Sequence, residues 1–423
     1  MISKGTNPPK NSELKYGGSP TNRGLHHKPG TLHDEMELRR LLHQVRCWLR
    51  VVFVLANNLY CIPTYLAWMW LVLYPLRLLI PPLYWAVERQ LFKLLLLMVS
   101  FWSWSAEYYV DEVGEDVSEC YGERTLVLVN HQSTADVPLL MASFQGKRSV
   151  TEHLMWIMDR LFKYTNFGAV SITHGDFFIT QVGLRRRGAG SGSRAGAFPQ
   201  GKDVRNTQLE RLRDHMLNVY LRRGLKWIVL FPEGGFLRKR IATSQRYART
   251  NNYPILEHVT LPRIGAMKTV METLSPENLA KISKGRREEA LKWVVDVTVG
   301  YPEGKPLDLL TISGGFRKAC VVHLHYRRFP VAEVPFGETE ALTQWLYARW
   351  VEKEHLLEEF YRTGRFPGRS HHREGAAGGA PLRLVPHRAD FNVAWIVLVH
   401  AFFIMSTLFH VALFRWLASL LWW

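Results

Sequence analysis

The sequence predicts an α/β fold: a central, mostly parallel sheet flanked by helices, with N-terminal membrane helices and a C-terminal transmembrane helix. Three observations carry this. Short apolar runs alternate with helical patterns across residues 107–365, which argues for a sheet covered by helices. Uncharged stretches lie near both ends of the chain. Hydrophobic residues make up 47% of 423 residues, ample for one large core plus membrane segments.

Residues 1–45 read as a disordered tail, with Gly, Pro, Asn, Lys and His concentrated before residue 35. There is no secretory signal pattern at the start. Membrane character follows Arg39, Arg40, Arg46 and Arg50 and extends over 46–106. Val51–Leu76 carries no charge, and as helix it measures roughly 39 Å, enough to cross a bilayer core of about 30 Å. Asn57, Asn58 and Pro63 interrupt it, so a re-entrant hairpin competes with a full crossing. Leu94–Ala106 measures only roughly 20 Å and reads as an interfacial helix anchored by Trp102 and Trp104.

Residues 107–365 form the expected catalytic domain. Its strands are placed at Thr125–Val129, Ala169–Thr173, Leu225–Phe231, Val259–Leu261 and Ala319–His325. Helices are placed at Gln208–Leu221 and Glu340–Tyr361, the latter closed by Gly364. Residues 181–206 are rich in Gly, Arg and Ser without hydrophobic period and read as a disordered basic insertion. They contain Gly196-x4-Gly201-Lys202, a near P-loop in which Asp203 replaces the required Ser or Thr and no strand precedes. Residues 366–390 are a linker, and 391–414 are a second apolar stretch of roughly 36 Å.

The net charge of +17 suits anionic lipid headgroups, given the apolar stretches beside it; no nucleic-acid-binding signature appears. The four cysteines, Cys47, Cys61, Cys120 and Cys320, are scattered and form no disulfide framework. His323-x-His325 has a metal-ligand spacing but no third ligand in view, so no metal is assigned. The aromatic residues of Trp345–Trp350 recur at helical spacing and read as core.

The chemistry is expected at Leu126–Asp136, LVLVNHQSTAD. A strand ends at Asn130-His131, and Asp136 follows. A His at a strand end can take a proton from a hydroxyl near neutral pH, and a carboxylate can fix its tautomer. The alternative is a plain turn whose Asp136 caps the next helix. Five residues is not a same-face helical interval, so the pair meets only if His131 lies outside the helix.

Asn130-His131-x4-Asp136 resembles the first motif of the glycerolipid (lysophosphatidate) acyltransferase superfamily. Gly175-Asp-Phe-Phe178-Ile179 resembles the second. Phe231-Pro-Glu233-Gly234-Gly235-Phe-Leu-Arg238 resembles the third, and Val259-Thr-Leu-Pro262-Arg263 the fourth. Four blocks in family order over roughly 140 residues are a specific signal. The wording FKYTNFG, HGDFF and KWIVLFPEGGFLRKR resembles the branch that acylates lysophosphatidylglycerol, and that likeness runs from about residue 45 to the end.

The resemblance implies a glycerolipid acyltransferase-like fold. It also implies a membrane-bound enzyme that moves a fatty acyl group from acyl-CoA to a lysophospholipid, lysophosphatidylglycerol or a relative such as lysophosphatidylethanolamine. His131 would be the general base and Asp136 its orienter. Asn130, Gly175, Phe178, Glu233, Gly234, Gly235, Arg238, Pro262 and Arg263 would bind substrate. Acyl-CoA serves as co-substrate with no further cofactor. The expected location is the endoplasmic reticulum membrane, with the catalytic domain in the cytosol. One departure stands out: the family's second motif wants an Arg after Phe-Ile, where Thr180-Gln181 stand. Two other classes therefore compete, a catalytically impaired lipid-binding member and a membrane lipid hydrolase using Ser133 with His131. No G-x-S-x-G elbow supports the latter.

Overall fold

The computed structural model describes residues 29–180, 201–282, 284–367, 382–389 and 391–421. The chain divides into two units, 1–46 and 47–423, and everything said below of the site concerns the second. Its centre is one eight-stranded sheet. The strands are β1 (Tyr108–Glu115), β2 (Thr125–Val129), β3 (Leu154–Asp159), β4 (Phe177–Ile179), β5 (Trp227–Leu230), β6 (Trp293–Gly300), β7 (Cys320–Pro330) and β8 (Leu382–Arg388), ordered β4-β3-β5-β2-β6-β7-β1-β8. Five of the seven pairings are parallel; β6–β7 and β1–β8 are antiparallel. The central strand β2, TLVLV, is buried at every position, as a parallel strand covered on both faces must be.

Several expected elements shift. Ala169–Thr173 lies within a helix, Asn166–His174, not a strand. Thr165 caps its start by accepting from the Gly168 N–H, and Gly175 ends it at φ +103. A short apolar run fits either element, and here the caps decide. Val259–Leu261 lies outside the sheet, in a bend and loop. Leu382–Arg388, expected as linker, is an edge strand, a place that tolerates Pro386. The helix Gly201–His215 takes up the last residues of the expected insertion, whose residues 181–200 lie outside the described residues. The first helix begins at Pro29, inside the expected tail; residues 1–28 lie outside the described residues.

Two helical segments, His33–Val72 and Val393–Leu420, are long and apolar enough to cross a membrane. Leu94–Ala106 is different. It belongs to the helix Pro81–Ser105, whose residues Leu95–Ser100 are all buried. A helix apolar all round finds its place in a core, so this one is a core helix rather than an interfacial one. It runs antiparallel to the first helix. Arg50 donates to the Ser105 carbonyl at 2.6 Å, Trp102 Nε1 to Asn57 Oδ1 at 3.1 Å, and Tyr65 to Glu88 at 2.6 Å. The C-terminal helix Val393–Leu421 runs parallel to the first. Tyr60 meets His400 at 2.6 Å, Thr64 meets Thr407 at 2.7 Å, and Trp68 Nε1 donates to Ser406 at 2.7 Å.

Candidate active site

β2 delivers His131 to the carboxyl end of the sheet. Asn130, fully buried, is held by the neighbouring strand: its Nδ2 donates to the Val299 carbonyl at 3.1 Å and its Oδ1 accepts from the Val299 N–H at 2.7 Å. This spends the Asn130 amide on the fold, which corrects the expectation that it helps bind substrate through that side chain.

His131 then leaves the sheet in a turn, and the helix Asp136–Gln145 starts five residues on. His131 Nδ1 lies 2.8 Å from Asp136 Oδ2. The same oxygen accepts from the N–H groups of Gln132 (2.7 Å) and Ser133 (3.0 Å), and Oδ1 accepts from the Tyr301 hydroxyl at 2.5 Å. These donors all lie outside the helix that Asp136 begins. Its carboxylate faces back into the turn, which rules against the plain-cap reading. A carboxylate on Nδ1 makes Nδ1–H the neutral tautomer and leaves the Nε2 lone pair to act as base.

The imidazole is wedged between Phe231, stacked at 4.1 Å, and Phe236, edge-on at 4.5 Å. Its backbone is fixed as well. The His131 N–H donates to Glu233 Oε1 at 3.0 Å, and its carbonyl accepts from the Leu237 N–H at 2.8 Å.

Glu233 is 2% exposed. Its second oxygen accepts from the N–H (3.1 Å) and hydroxyl (2.8 Å) of Thr260. Burial pushes its carboxyl up to about 7, against those hydrogen bonds. Both oxygens face protein donors, so Glu233 ties the first, third and fourth blocks together instead of meeting a ligand. A carboxylate would also repel a phosphate. Pro262 is buried between them, and the Arg263 N–H donates to the Pro232 carbonyl at 2.9 Å. Gly175 is the left-handed helix end described above, and a Cβ there would sit 2.7 Å from Arg223 Nη1. Phe178 is half-buried on β4, paired with Met158.

Positive charge gathers at Gly234 and Gly235, both at positive φ. Arg240 donates to the Gly234 carbonyl at 2.8 Å, and the Arg263 guanidinium packs 3.5 Å from where a Gly234 Cβ would stand. Arg205 reaches within 3.3 Å of the corresponding point on Gly265. Partial dehydration, then the nearby Arg240 and Arg205, pull Arg263 below the ordinary Arg value. Arg238 is exposed on the first turn of the helix Leu237–Thr250. Residues two apart on a helix do not share a face. The structure therefore puts Arg240, rather than the expected Arg238, against the glycine pair.

Sequence reasoning missed four residues that hold this arrangement. Tyr301, Thr260 and Gln132 are three; Gln132 Nε2 donates to the His258 carbonyl at 2.8 Å. The fourth, Glu354, accepts from the consecutive N–H groups of Glu257 (2.6 Å), His258 (2.9 Å) and Val259 (3.1 Å). All but Gln132 lie far along the chain from the His131 motif and carry no local signature there. The Ser133 hydroxyl donates to the Leu307 carbonyl and accepts from the Ala135 N–H at 3.0 Å, so it serves the turn. Thr180 sits at the end of β4, where its N–H donates to Gln208 at 3.4 Å. His323 and His325 lie against Phe360 and Phe366. Trp350 is fully buried core, and Trp345 packs on Phe329.

This architecture has known relatives. The Acyltransferase family matches residues 110–291, and the Acyltransferase C-terminus family matches 315–383. Acyl-CoA:lysophosphatidylglycerol acyltransferase 1 of Homo sapiens is 42% identical over 369 residues, 86% of this chain and 92% of that protein. The chain belongs to the glycerolipid acyltransferase superfamily. The mouse protein of the same name shares 42% over 85% of this acyltransferase and 90% of its own length. A more distant relative, 1-acyl-sn-glycerol-3-phosphate acyltransferase epsilon of Mus musculus, is 27% identical over 59% of the chain. The first, third and fourth blocks of this acyltransferase thus meet around the imidazole, through Glu233, while the second lies on the edge strand β4.

Proposed function

We propose that this acyltransferase moves a fatty acyl group from acyl-CoA to the free hydroxyl of a lysophospholipid, lysophosphatidylglycerol or a relative such as lysophosphatidylethanolamine. The observation that carries the mechanism is the 2.8 Å His131–Asp136 bond, made on a carboxylate already held by three other donors. Nε2 of His131 takes the hydroxyl proton as the oxygen attacks the thioester carbon. The tetrahedral oxyanion collapses, the C–S bond breaks, and the imidazolium returns the proton to the departing CoA thiolate. Nothing is consumed beyond the two substrates, so no cofactor is assigned. A thioester is reactive enough for direct attack, and the Ser133 hydroxyl is occupied at Leu307, so neither a covalent intermediate nor a hydrolase is favoured.

The acceptor's phosphate is assigned to Arg240 and Arg263 at the Gly234–Gly235 turn, with Arg205 as third guanidinium. Arg is suited to this by its planar fork of donors. Arg205 also answers the departure at Thr180. It supplies, from the helix after the insertion, a cation that the second motif does not.

The proposed location is the endoplasmic reticulum membrane with the catalytic domain in the cytosol, where acyl-CoA is expected. The antiparallel helix pair supports one-sided placement, because Arg50 and Ser105 return to the same end. The test is labelled acyl-CoA with and without lysophospholipid. Labelled phospholipid forming only with acceptor is the expected result, abolished by His131→Ala at unchanged membrane attachment. Free fatty acid without acceptor would indicate a hydrolase, and lipid binding without turnover an impaired member.

A further inference from the structure

The segment from Lys305 to Lys318 joins the catalytic turn to the first membrane helix. On one side it is bonded to the turn. The Leu307 carbonyl accepts from Ser133, and the Leu309 N–H donates to Thr134 Oγ1 at 3.0 Å. Ile312, fully buried, pins the short helix Leu309–Gly314 to the core. On the other side, Cys47 Sγ donates to the Gly315 carbonyl at 3.4 Å, and Phe316 meets Trp48 edge-on with ring centroids 5.7 Å apart.

Between these anchors the segment turns apolar side chains outward. Leu309, Leu310 and Phe316 are 44%, 58% and 38% exposed, and Trp48 beside them 60%. Exposed Lys305 and Lys318 and half-buried Arg317 flank them. An exposed apolar patch with a polar rim marks a partner. Here two observations select a lipid surface. The patch is continuous with a helix long and apolar enough to cross a membrane, and its rim, Lys305, Arg317 and Lys318 against the carboxylates of Glu303 and Asp308, keeps a net positive charge that suits anionic headgroups.

We propose that Leu309, Leu310 and Phe316, with Trp48, form a lip that enters the headgroup layer of an anionic bilayer beside His131. The lysophospholipid passes over this lip from the bilayer to the site. The delivery role rests on the acyl-transfer reading above; the insertion of the lip does not. The arrangement lets a membrane lipid present its hydroxyl to His131 while its acyl tail stays in lipid.

The test uses the full chain in vesicles of phosphatidylcholine with one third phosphatidylglycerol. A nitroxide label on Leu310→Cys, in a Cys320→Ser background, is expected to be reached by oxygen and shielded from an aqueous nickel chelate. A label on Glu303→Cys should stay open to the chelate. Leu310→Gln with Phe316→Gln should lower the ratio of activity on vesicle-held to monomeric lysophospholipid by about tenfold or more, since two inserted apolar side chains are lost. A Leu310 label open to the chelate in vesicles would overturn the proposal. So would an unchanged ratio, or shielding that appears without lipid as protein concentration rises, which marks a protein partner. A shielded label on a protein with no transferase activity would leave the lip standing and sink the acyl-transfer reading.

Discussion

Asp136 has four donors, and three belong to its own turn. The fourth, Tyr301, comes from the end of β6, 165 residues away. Burial and the adjacent Asp136 hold its hydroxyl well above the usual Tyr range, so it remains a donor throughout the working pH range. Tyr301→Phe should lower kcat by roughly 5–30-fold, about 1–2 kcal/mol, with little change in KM. Adding Asp136→Asn should cost little more. Steady-state kinetics of the single and double variants check this; additive losses would leave Tyr301 a packing role only. Glu233 gives a stability test. Its folded-state carboxyl is raised from 4.5 to about 7 by burial. The folded protein therefore holds a proton there that the unfolded chain has released, and stability falls as pH rises from about 4.5 to about 7, by about 3 kcal/mol from this group. Glu233→Gln should remove that slope in melting curves taken across the window. It should also cost about 1–3 kcal/mol of its own, because an amide nitrogen cannot accept from His131 or Thr260. Arg240→Ala and Arg263→Ala should each raise the KM for lysophospholipid, and more than that for acyl-CoA; the reverse order would move this cluster to the CoA site. The His131–Asp136 pair was legible in the sequence because its spacing and strand-end position are local. Tyr301 and Glu354 were not, because each acts across a sheet or a helix packing that no short window contains, and Thr260 was legible only as a member of the fourth block.

Helix Pro81–Ser105 shows how an element can carry one pattern and serve another. Its uncharged half looked like a membrane-surface segment, yet it is the helix on which the first helix and the sheet both pack. Glu88 is the buried carboxylate among the charged residues of its first half, which also include Arg89 and Lys93. Glu88 Oε1 accepts from Tyr65 and lies 2.9 Å from His174 Nδ1, and His174 Nε2 lies 2.7 Å from the Leu154 carbonyl. Phe92 stacks on the His174 ring at 3.5 Å. Glu88→Leu would strand two fully buried polar groups, and we expect a loss of roughly 3–5 kcal/mol. Glu88→Gln keeps an acceptor and should lose less. Comparing the two by thermal unfolding in detergent checks this, and equal losses would mean that size alone matters there. Hydrophobic pattern identified this helix but could not say which neighbour covers it, since lipid and protein interior read alike in sequence. Ala169–Thr173 carries a different ambiguity, since a short apolar run fits helix or strand and its caps decide.

At the scale of the molecule, the sheet class and the order of the blocks were readable, because alternating apolar runs leave few arrangements. The strand order was not, since β1 and β7 pair across most of the domain. The antiparallel helix pair places Arg50 beside the start of that domain. An impermeant thiol reagent should therefore label exposed Glu288→Cys in sealed endoplasmic reticulum vesicles without detergent. Labelling only after permeabilisation would put the domain on the lumenal side.

The pairing of β1 also sets a timetable. Both of its neighbours, β7 and β8, lie beyond residue 319. On a ribosome adding about 5–20 residues each second, β1 waits on the order of 10–40 s for a partner. During that wait it is a strand-forming segment with two open edges, the kind that pairs with other nascent chains. The remaining parallel strands, β2 to β6, can assemble meanwhile, but the sheet closes only when β7 emerges between β6 and β1. A messenger truncated before that point would yield a chain with most of the catalytic motifs intact and an edge it has no means of covering. Its fate would be decided by chaperones and proteases before any lipid reached it.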